Sequence, residues 1–150
     1  MPFKLMRAGA LALAMAATPA LANDEAVKAM EEYLDFVDYG GATIFPEQIP
    51  KEDWKKFHVI DARDKDQYAR EHIPGAVNLE WRQALARRSS IPKDQPVLIY
   101  CNTGTLSAQA GFALRVAGYD NVRILQGGYA EWKSKGGFDA AARASAPAKH

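Results

Sequence analysis

Hydrophobic and polar positions along the chain follow two patterns, which predict helices and strands in alternation. Residues 24–39 carry apolar side chains at spacings of three and four, the pattern of one helical face, before the pair Gly40-Gly41. Further helices are predicted over residues 64–71, 80–88, 106–117 and 129–135. Short apolar runs predict strands over residues 42–45, 57–60, 76–79, 96–100 and 122–125. Several of these runs do not alternate, which is typical of a parallel sheet covered on both faces.

This order favours an α/β fold, and it places the only cysteine of the chain where such folds bind ligands. In open parallel sheets, ligand sites lie beyond the carboxyl ends of the strands. Cys101 directly follows residues 96–100, the most apolar of the predicted strands. Composition alone leaves three roles open for this thiol: a buried inert side chain, a partner in an intermolecular disulfide, or a reactive group.

The loop after Cys101 has the composition of an anion-binding cradle. Gly104 permits a positive φ, which would turn successive backbone N–H groups inward. The helix predicted next adds unpaired N–H groups and the positive end of its dipole, so the thiol should have a lowered pKa. An ordinary turn around a buried thiol would have a similar local sequence. The candidate nucleophile is Cys101, and the candidate substrate-binding residues are Asn102, Thr103, Gly104, Thr105, Leu106 and Ser107.

The first 22 residues have the layout of a secretory signal peptide. Lys4 and Arg7 precede an apolar run over residues 8–22, which ends in small residues at Ala20 and Ala22. That run is shorter than the roughly 20 residues that a membrane-spanning helix needs. We expect cleavage after Ala22, export to the periplasm and no membrane span in the mature protein.

Cleavage there would leave 128 residues, with 17 basic and 18 acidic side chains. This length suits one domain, and the near-neutral charge gives no reason to expect nucleic acid as a partner. We expect a helical extension over residues 23–41, one α/β domain over residues 42–137 and a flexible, alanine-rich tail over residues 138–150.

Two longer segments carry a resemblance to a known family. The stretch VIDARDKDQYAREHIPGAVNLEW, residues 59–81, resembles the first signature region of the rhodanese family. The stretch PVLIYCNTGTLSAQAGFALRVAGYDNVRILQGGYAEW, residues 96–132, resembles its second half, with a Cys-x-x-Gly loop and a Gly-Gly-x-x-x-Trp ending. Because both segments occur in the family's order, residues 42–137 are similar to a rhodanese-like domain.

The resemblance implies a fold, a reaction and a set of residue roles. The fold is a central parallel sheet of about five strands with helices on both faces. In the reaction, Cys101 takes a sulfane sulfur from thiosulfate, a persulfide or a polysulfide and becomes a persulfide itself. The outer sulfur then passes to cyanide, a thiol or an acceptor protein of the periplasm, and no cofactor or metal is implied. Asp61 and Arg63 brace the loops near the site, and His72 belongs to a structural turn rather than acting as a general base.

One position departs from the family's active loop, Cys-x-x-Gly-x-Arg-Ser. Leu106 stands where the family has an arginine that helps to hold anionic donors and the persulfide. Loss of a hydrogen bond to a charged group should weaken thiosulfate binding by about ten- to a hundredfold. Leucine would suit a less charged donor or a sulfur-carrying protein, and Arg63 or Arg70 could supply the missing charge.

Other functions compete with an exported sulfurtransferase. Leu106 suggests a low-activity or non-catalytic sulfur carrier, or a module that binds a partner. A cysteine phosphatase or arsenate reductase is disfavoured, because such a loop ends on an arginine that grips the anion and the equivalent position is Ser107. A metal site is not expected, since His58, His72 and Cys101 lack the spacing of metal ligands.

Overall fold

The structure, a computed structural model, describes residues 23–147. The predicted signal peptide lies outside the described residues, as do residues 148–150. Within residues 23–147, no helix combines the length and the apolar character that crossing a bilayer would require.

A wholly parallel, five-stranded sheet forms the centre of the fold. The strands are β1 (Thr43–Ile44), β2 (His58–Asp61), β3 (Val77–Asn78), β4 (Val97–Tyr100) and β5 (Val122–Leu125). They lie in the order β1-β5-β4-β2-β3, so the fully buried β4 is the central strand. The α/β parallel sheet that the apolar runs predicted is confirmed.

Helices cover both faces of this sheet. They are α1 (Asp24–Phe36), α2 (Lys65–Arg70), α3 (Thr105–Val116), α4 (Gly128–Ser134) and α5 (Ala140–Ala144). Val97 and Ile99 belong to a core shared with α3, whereas Leu98 and Tyr100 belong to a second core shared with α4. Four consecutive apolar residues thus fill two cores, because successive side chains of a strand point to opposite faces. Burial of each aliphatic side chain contributes roughly 1.5–3 kcal/mol.

The N-terminal helix packs on α3. Asn23 caps α1, since its side-chain oxygen accepts a hydrogen bond from the N–H of Ala26 at 3.3 Å. Tyr33 meets Phe112 of α3 edge to face, with ring centroids 5.3 Å apart. The predicted helix therefore forms, although it is somewhat shorter than its apolar pattern.

The helix predicted over residues 80–88 does not form. The segment instead makes two short 3₁₀ turns, Trp81–Gln83 and Arg88–Ser90. The N–H of Trp81 donates to the carbonyl oxygen of Ala62 at 3.0 Å, and Ala84 is completely buried. These tertiary contacts hold the segment against the end of β2 and override its helical pattern.

The segment after residue 137 begins with residues that pack on the domain. A 3₁₀ turn, Gly137–Asp139, leads into α5, and Ala140 is buried. Phe138 packs edge to face on Trp54, with ring centroids 5.2 Å apart. These contacts hold Phe138 and Ala140 against the domain, and the flexible tail expected over residues 138–150 stays a prediction.

The carboxyl ends of β2, β3 and β4 lie side by side at one edge of the sheet. Asp61 ends β2, Asn78 ends β3, and Cys101 follows β4. Asn78 donates hydrogen bonds from Nδ2 to the carbonyl oxygens of Asp61 at 3.0 Å and of Arg63 at 2.9 Å. The loops after these strands are therefore tied together at the edge where a parallel sheet binds ligands.

Candidate active site

Cys101 lies at the base of a cavity at this edge of the sheet. Its exposure is only 2%, yet it lines a cavity of about 280 Å³. The cavity walls come from the segments that follow β2, β3 and β4, and they include Arg63, Glu80, Arg82, Asn102, Thr103 and Leu106. A thiol in this position is shielded from bulk water but open to a small ligand.

The loop arranges hydrogen-bond donors around the sulfur. Gly104 has φ = +100°, a left-handed conformation that suits glycine, and it donates its N–H to Cys101 Sγ at 3.2 Å. Ser107 Oγ lies 3.5 Å from Sγ and 3.1 Å from the carbonyl oxygen of Gly104. The sulfur is thus beside the first turn of α3, where the helix dipole favours negative charge.

These donors lower the pKa of the Cys101 thiol. Burial by itself raises this pKa, whereas hydrogen bonds from the Ser107 side chain and from the backbone N–H groups of Ser107, Thr103 and Gly104 lower it. The donors outweigh burial, so the thiolate forms more readily than that of an ordinary cysteine. The same donors would stabilise a negatively charged sulfur attached to Sγ.

The start of α4 supports this loop from behind. The N–H of Tyr129 donates to the carbonyl oxygen of Cys101 at 2.8 Å, and the N–H of Ala130 donates to that of Asn102 at 3.0 Å. Gly128 has φ = +61°, and a Cβ at this position would lie 2.4 Å from the carbonyl oxygen of Cys101. The close approach of the two backbones therefore requires glycine.

Asp61 holds the side chain of Arg63 beneath the loop. Its carboxylate accepts hydrogen bonds from Arg63 Nη2 at 2.6 Å, from Arg63 Nε at 2.9 Å and from the Tyr100 hydroxyl at 2.8 Å. Both charged side chains are buried, so each depends on the other for compensation. Burial raises the pKa of Tyr100, which keeps its hydroxyl protonated as a donor to Asp61.

Arg63 links this buried pair to the cysteine loop. Its Nη1 donates to Asn102 Oδ1 at 3.4 Å, and Asn102 Nδ2 in turn donates to Gln67 Oε1 at 2.7 Å. The guanidinium carbon lies 4.5 Å from the centre of the Tyr129 ring. Most N–H groups of the guanidinium therefore donate hydrogen bonds within the protein, and Arg63 braces the loop.

The structure brings most of the candidate residues of the loop together. Thr105 is the exception, since it is exposed and, among residues 23–147, makes no hydrogen bond with the sulfur. The residues that line the cavity or donate to the sulfur are Asn102, Thr103, Gly104, Leu106 and Ser107.

Arg70 and His72 do not line the cavity. His72 Nδ1 lies 2.7 Å from the carbonyl oxygen of Tyr68, and the two rings stack with centroids 3.9 Å apart. These contacts suit a structural turn. Arg70 is exposed at the end of α2, so of the two alternative cations only Arg63 reaches the site.

Sequence reasoning missed six residues that line the cavity, and among them are Gln67, Glu80 and Arg82. A signal was available for the last two, because residues after the predicted strand 76–79 belong at the same sheet edge as Cys101. The missing information was the pairing of β3 with β2, which sets the segment after β3 beside the loops of the site.

Larger cavities lack this chemistry. One of about 350 Å³ lies between α1 and α3, and another of about 460 Å³ lies beside Trp54 and Phe138. Neither is lined by Cys101. Within residues 23–147, no group of three or more His, Cys, Asp or Glu side chains is placed to hold a metal ion.

Comparison with known proteins gives consistent results. The model of the rhodanese-like domain family matches residues 45–135. The thiosulfate sulfurtransferase GlpE of Coxiella burnetii is 34% identical over 76 residues, which are 51% of this chain and 71% of that protein. A sulfurtransferase of Allochromatium vinosum is 38% identical over 78 residues, which are 52% of this chain and 73% of that protein. This chain spans 65% of the length of a further curated relative.

Solved structures share the architecture. The crystal structure of a rhodanese-related protein from Thermoplasma volcanium superposes with a TM-score of 0.59 at 22% identity, covering 63% of this chain and 93% of that one. At this identity the likeness concerns the fold alone. It confirms the fold that the sequence resemblance implied.

Proposed function

The chain belongs to the rhodanese-like domain family, and from this premise we propose that it is an exported sulfurtransferase acting through a persulfide on Cys101. One observation carries the proposal: the sulfur accepts hydrogen bonds from Gly104 N–H at 3.2 Å and Ser107 Oγ at 3.5 Å at the base of a small cavity. The relatives that are named as sulfurtransferases support the class of reaction.

In the first half-reaction, the Cys101 thiolate attacks the outer sulfur of a sulfane donor. The new Sγ–S bond forms as the S–S bond of the donor breaks, and the leaving group departs with the bonding electron pair. With thiosulfate, the leaving group is sulfite. The lowered pKa of Cys101 raises the fraction of thiolate available for this attack.

In the second half-reaction, a nucleophilic acceptor removes the outer sulfur. Cyanide or a thiolate attacks that sulfur, the persulfide S–S bond breaks, and Cys101 recovers its electron pair as a thiolate. Negative charge resides near Sγ at the start and the end of each half-reaction. The fixed N–H donors therefore serve both steps without rearrangement.

The donor is proposed to be a persulfide, a polysulfide or another donor that binds without a strong cation in the loop. Leu106 adds a 39% exposed apolar side chain to the cavity, and Arg63 is paired with Asp61. Thiosulfate carries its two charges on one compact, strongly hydrated group and should therefore be a weak donor, whereas a polysulfide places its charges at the ends of an apolar sulfur chain. The proposed acceptors are cyanide, small thiols and a protein thiol of the periplasm.

The periplasm is the proposed compartment. The basic start, apolar run and small-residue end of residues 1–22 support export. A single cysteine is compatible with an oxidising compartment, because it cannot form an internal disulfide that would block the nucleophile.

A sulfur carrier that turns over slowly is the second candidate. Two observations favour it: Leu106 replaces the loop arginine, and Cys101 is nearly inaccessible to large acceptors. Such a protein would form the persulfide but would release its outer sulfur only to a matched partner.

Intact mass spectrometry of the protein after incubation with thiosulfate or polysulfide tests these functions. The wild type should gain one sulfur atom, more completely with polysulfide, and Cys101→Ser should gain none. Cyanide should then remove the sulfur and yield thiocyanate. No gain with any sulfane donor would contradict both candidates, whereas a gain that neither cyanide nor small thiols reverse would favour the carrier.

A further inference from the structure

Arg82 is a cavity cation whose terminal amino groups are not committed to the protein, and we infer that it binds the anionic end of the sulfur donor in place of the loop arginine that Leu106 replaces. This inference rests on the proposed sulfurtransferase function and names the residue that selects among donors. Arg82 would favour a dianion over a monoanion, because Coulomb attraction scales with the product of the charges.

Arg82 reaches the cavity from the segment after β3 rather than from the cysteine loop. The hydrogen bond from Trp81 N–H to the carbonyl oxygen of Ala62, at 3.0 Å, fixes the start of this segment beside the end of β2. Arg82, Cys101 and Leu106 line the same cavity of about 280 Å³. Because Arg82 and Cys101 border the same cavity, a donor bound in it can be approached from both sides.

Glu80 orients Arg82 without occupying the whole guanidinium. Glu80 Oε1 accepts a hydrogen bond from Arg82 Nε at 2.8 Å, and Glu80 Oε2 accepts one from the Arg82 backbone N–H at 3.1 Å. The Glu80 side chain is 18% exposed and that of Arg82 is 73% exposed. In the described part of the chain, Nη1 and Nη2 of Arg82 have no hydrogen-bond partner, which leaves a pair of donors for an anion.

The other charges around the cavity are already engaged. Arg63 is paired with the buried Asp61, and Asp64 caps α2 with its carboxylate. Glu80 is held by Arg82. The cavity therefore has no surplus of positive charge, and a dianionic donor depends on Arg82 for direct compensation.

Two donors that transfer the same sulfur but differ by one negative charge provide the test. They are thiosulfate and methanethiosulfonate, in which a methyl group replaces one anionic oxygen. In both reactions the Cys101 thiolate attacks the outer sulfur, the S–S bond breaks, and sulfite or methanesulfinate leaves with the electron pair. The ratio of kcat/KM for the two donors, with cyanide as acceptor, reports charge selection. A defect in folding or in thiol reactivity lowers both values and leaves the ratio unchanged.

Arg82→Met should lower the ratio of thiosulfate to methanethiosulfonate efficiency by about fivefold, the effect of an exposed ion pair near the upper end of its usual range. Arg82→Lys should retain most of the ratio, since it keeps the charge. Arg88→Met is the matched control, because it removes a positive charge from the same segment at a residue that does not line the cavity. The control should leave the ratio unchanged.

An unchanged ratio in Arg82→Met, or an equal fall in Arg88→Met, overturns the inference and leaves the persulfide reaction intact. Absence of sulfur transfer from both donors in the wild type would instead overturn the proposed function, and the inference with it. Intact mass after donor treatment separates these two failures, because it detects persulfide formation without any acceptor.

Discussion

Two segments meet over the sulfur of Cys101, and they are built in opposite ways. The loop after β4 presents backbone N–H groups, which the left-handed Gly104 and the close packing of Gly128 hold in place. The segment after β3 presents the paired side chains of Glu80 and Arg82. Buried dipoles act at short and fixed distances, whereas exposed charges are screened by water and salt. We therefore propose that the first segment sets the reactivity of the sulfur, and that the second segment, together with the side chain at position 106, influences the choice of donor.

This division explains how the chain tolerates Leu106. The donors that lower the pKa of Cys101 are backbone groups and the Ser107 hydroxyl, and none of them belongs to the side chain at position 106. Replacement of an arginine there changes the binding of anions at the mouth of the cavity. It leaves the stabilisation of the thiolate in place.

The largest effect is expected from Gly128→Ala, which tests the rigidity of the cysteine loop. A Cβ at residue 128 would lie 2.4 Å from the carbonyl oxygen of Cys101, so the loop must move. Displacement of the sulfur should reduce persulfide formation by about a hundredfold. The free energy of unfolding, measured with urea, should fall by about 3 kcal/mol or more.

Gly118→Ala is the matched control for this prediction. Gly118 has φ = +89°, but no atom lies within 4 Å of a Cβ added there. The free energy of unfolding should fall by only about 1–2 kcal/mol, the cost of a left-handed backbone for a residue with a Cβ. The variant should form the persulfide normally. Equal losses of persulfide in the two variants would show that the close packing of Gly128 against the loop is not what positions the sulfur.

The loop after β4 could be anticipated from the sequence because its causes are local. Four apolar residues ending directly before Cys101 specify a buried strand, and Gly104 specifies the turn into α3. The contact of Gly128 with Cys101 was visible in the sequence only as a glycine pair that opens a helix. Its role depends on two loops that are distant in the chain.

The segment after β3 could be assigned to the right edge of the sheet from the sequence, but its place beside Cys101 could not be anticipated. Its apolar spacing predicted a helix over residues 80–88, and the hydrogen bond from Trp81 to Ala62 gives short turns instead. The position of Arg82 depends on the pairing of β3 with β2 and on an ion pair with Glu80. Neither contact leaves a periodic signal, so the sequence pointed to Arg63 and Arg70 as the cations.

Leu106→Arg sharpens the comparison by moving a cation into the cysteine loop. The efficiency of sulfur transfer from thiosulfate to cyanide should rise by about ten- to a hundredfold, because a charge-assisted hydrogen bond to the donor is restored. Arg82→Met should then have a smaller effect in this background than in the wild type, since the two cations would share one anion.

Leu85→Arg controls for the added charge. Leu85 is an exposed residue of the segment after β3 and does not line the cavity. This variant should leave thiosulfate efficiency unchanged. Equal gains from both substitutions would mean that overall charge, rather than a cation at the loop, limits the use of thiosulfate.

The smallest effect is expected from Ser107→Ala, which removes one of the several donors to the sulfur. Ser107 Oγ lies 3.5 Å from Sγ, farther than the N–H of Gly104 at 3.2 Å. Loss of the hydroxyl should raise the pKa of Cys101, and alkylation by iodoacetamide near neutral pH should slow by about fivefold. Ser134→Ala, which removes a hydroxyl bonded to the Glu131 carbonyl, should not change this rate.

The pH dependence of alkylation follows from the same contacts. Because the pKa of Cys101 is lowered in the folded protein, the thiolate stabilises the fold above the pKa of the unfolded chain, and this stabilisation is lost as the pH falls through the folded pKa. The lowered pKa also means that wild-type alkylation should reach half its maximal rate at a pH below the ordinary pKa of a cysteine thiol. In Ser107→Ala this midpoint should move upward and still lie below the ordinary value, because the backbone donors remain. A midpoint above the ordinary value in that variant would mean that the hydroxyl, rather than the backbone of the loop, controls the sulfur.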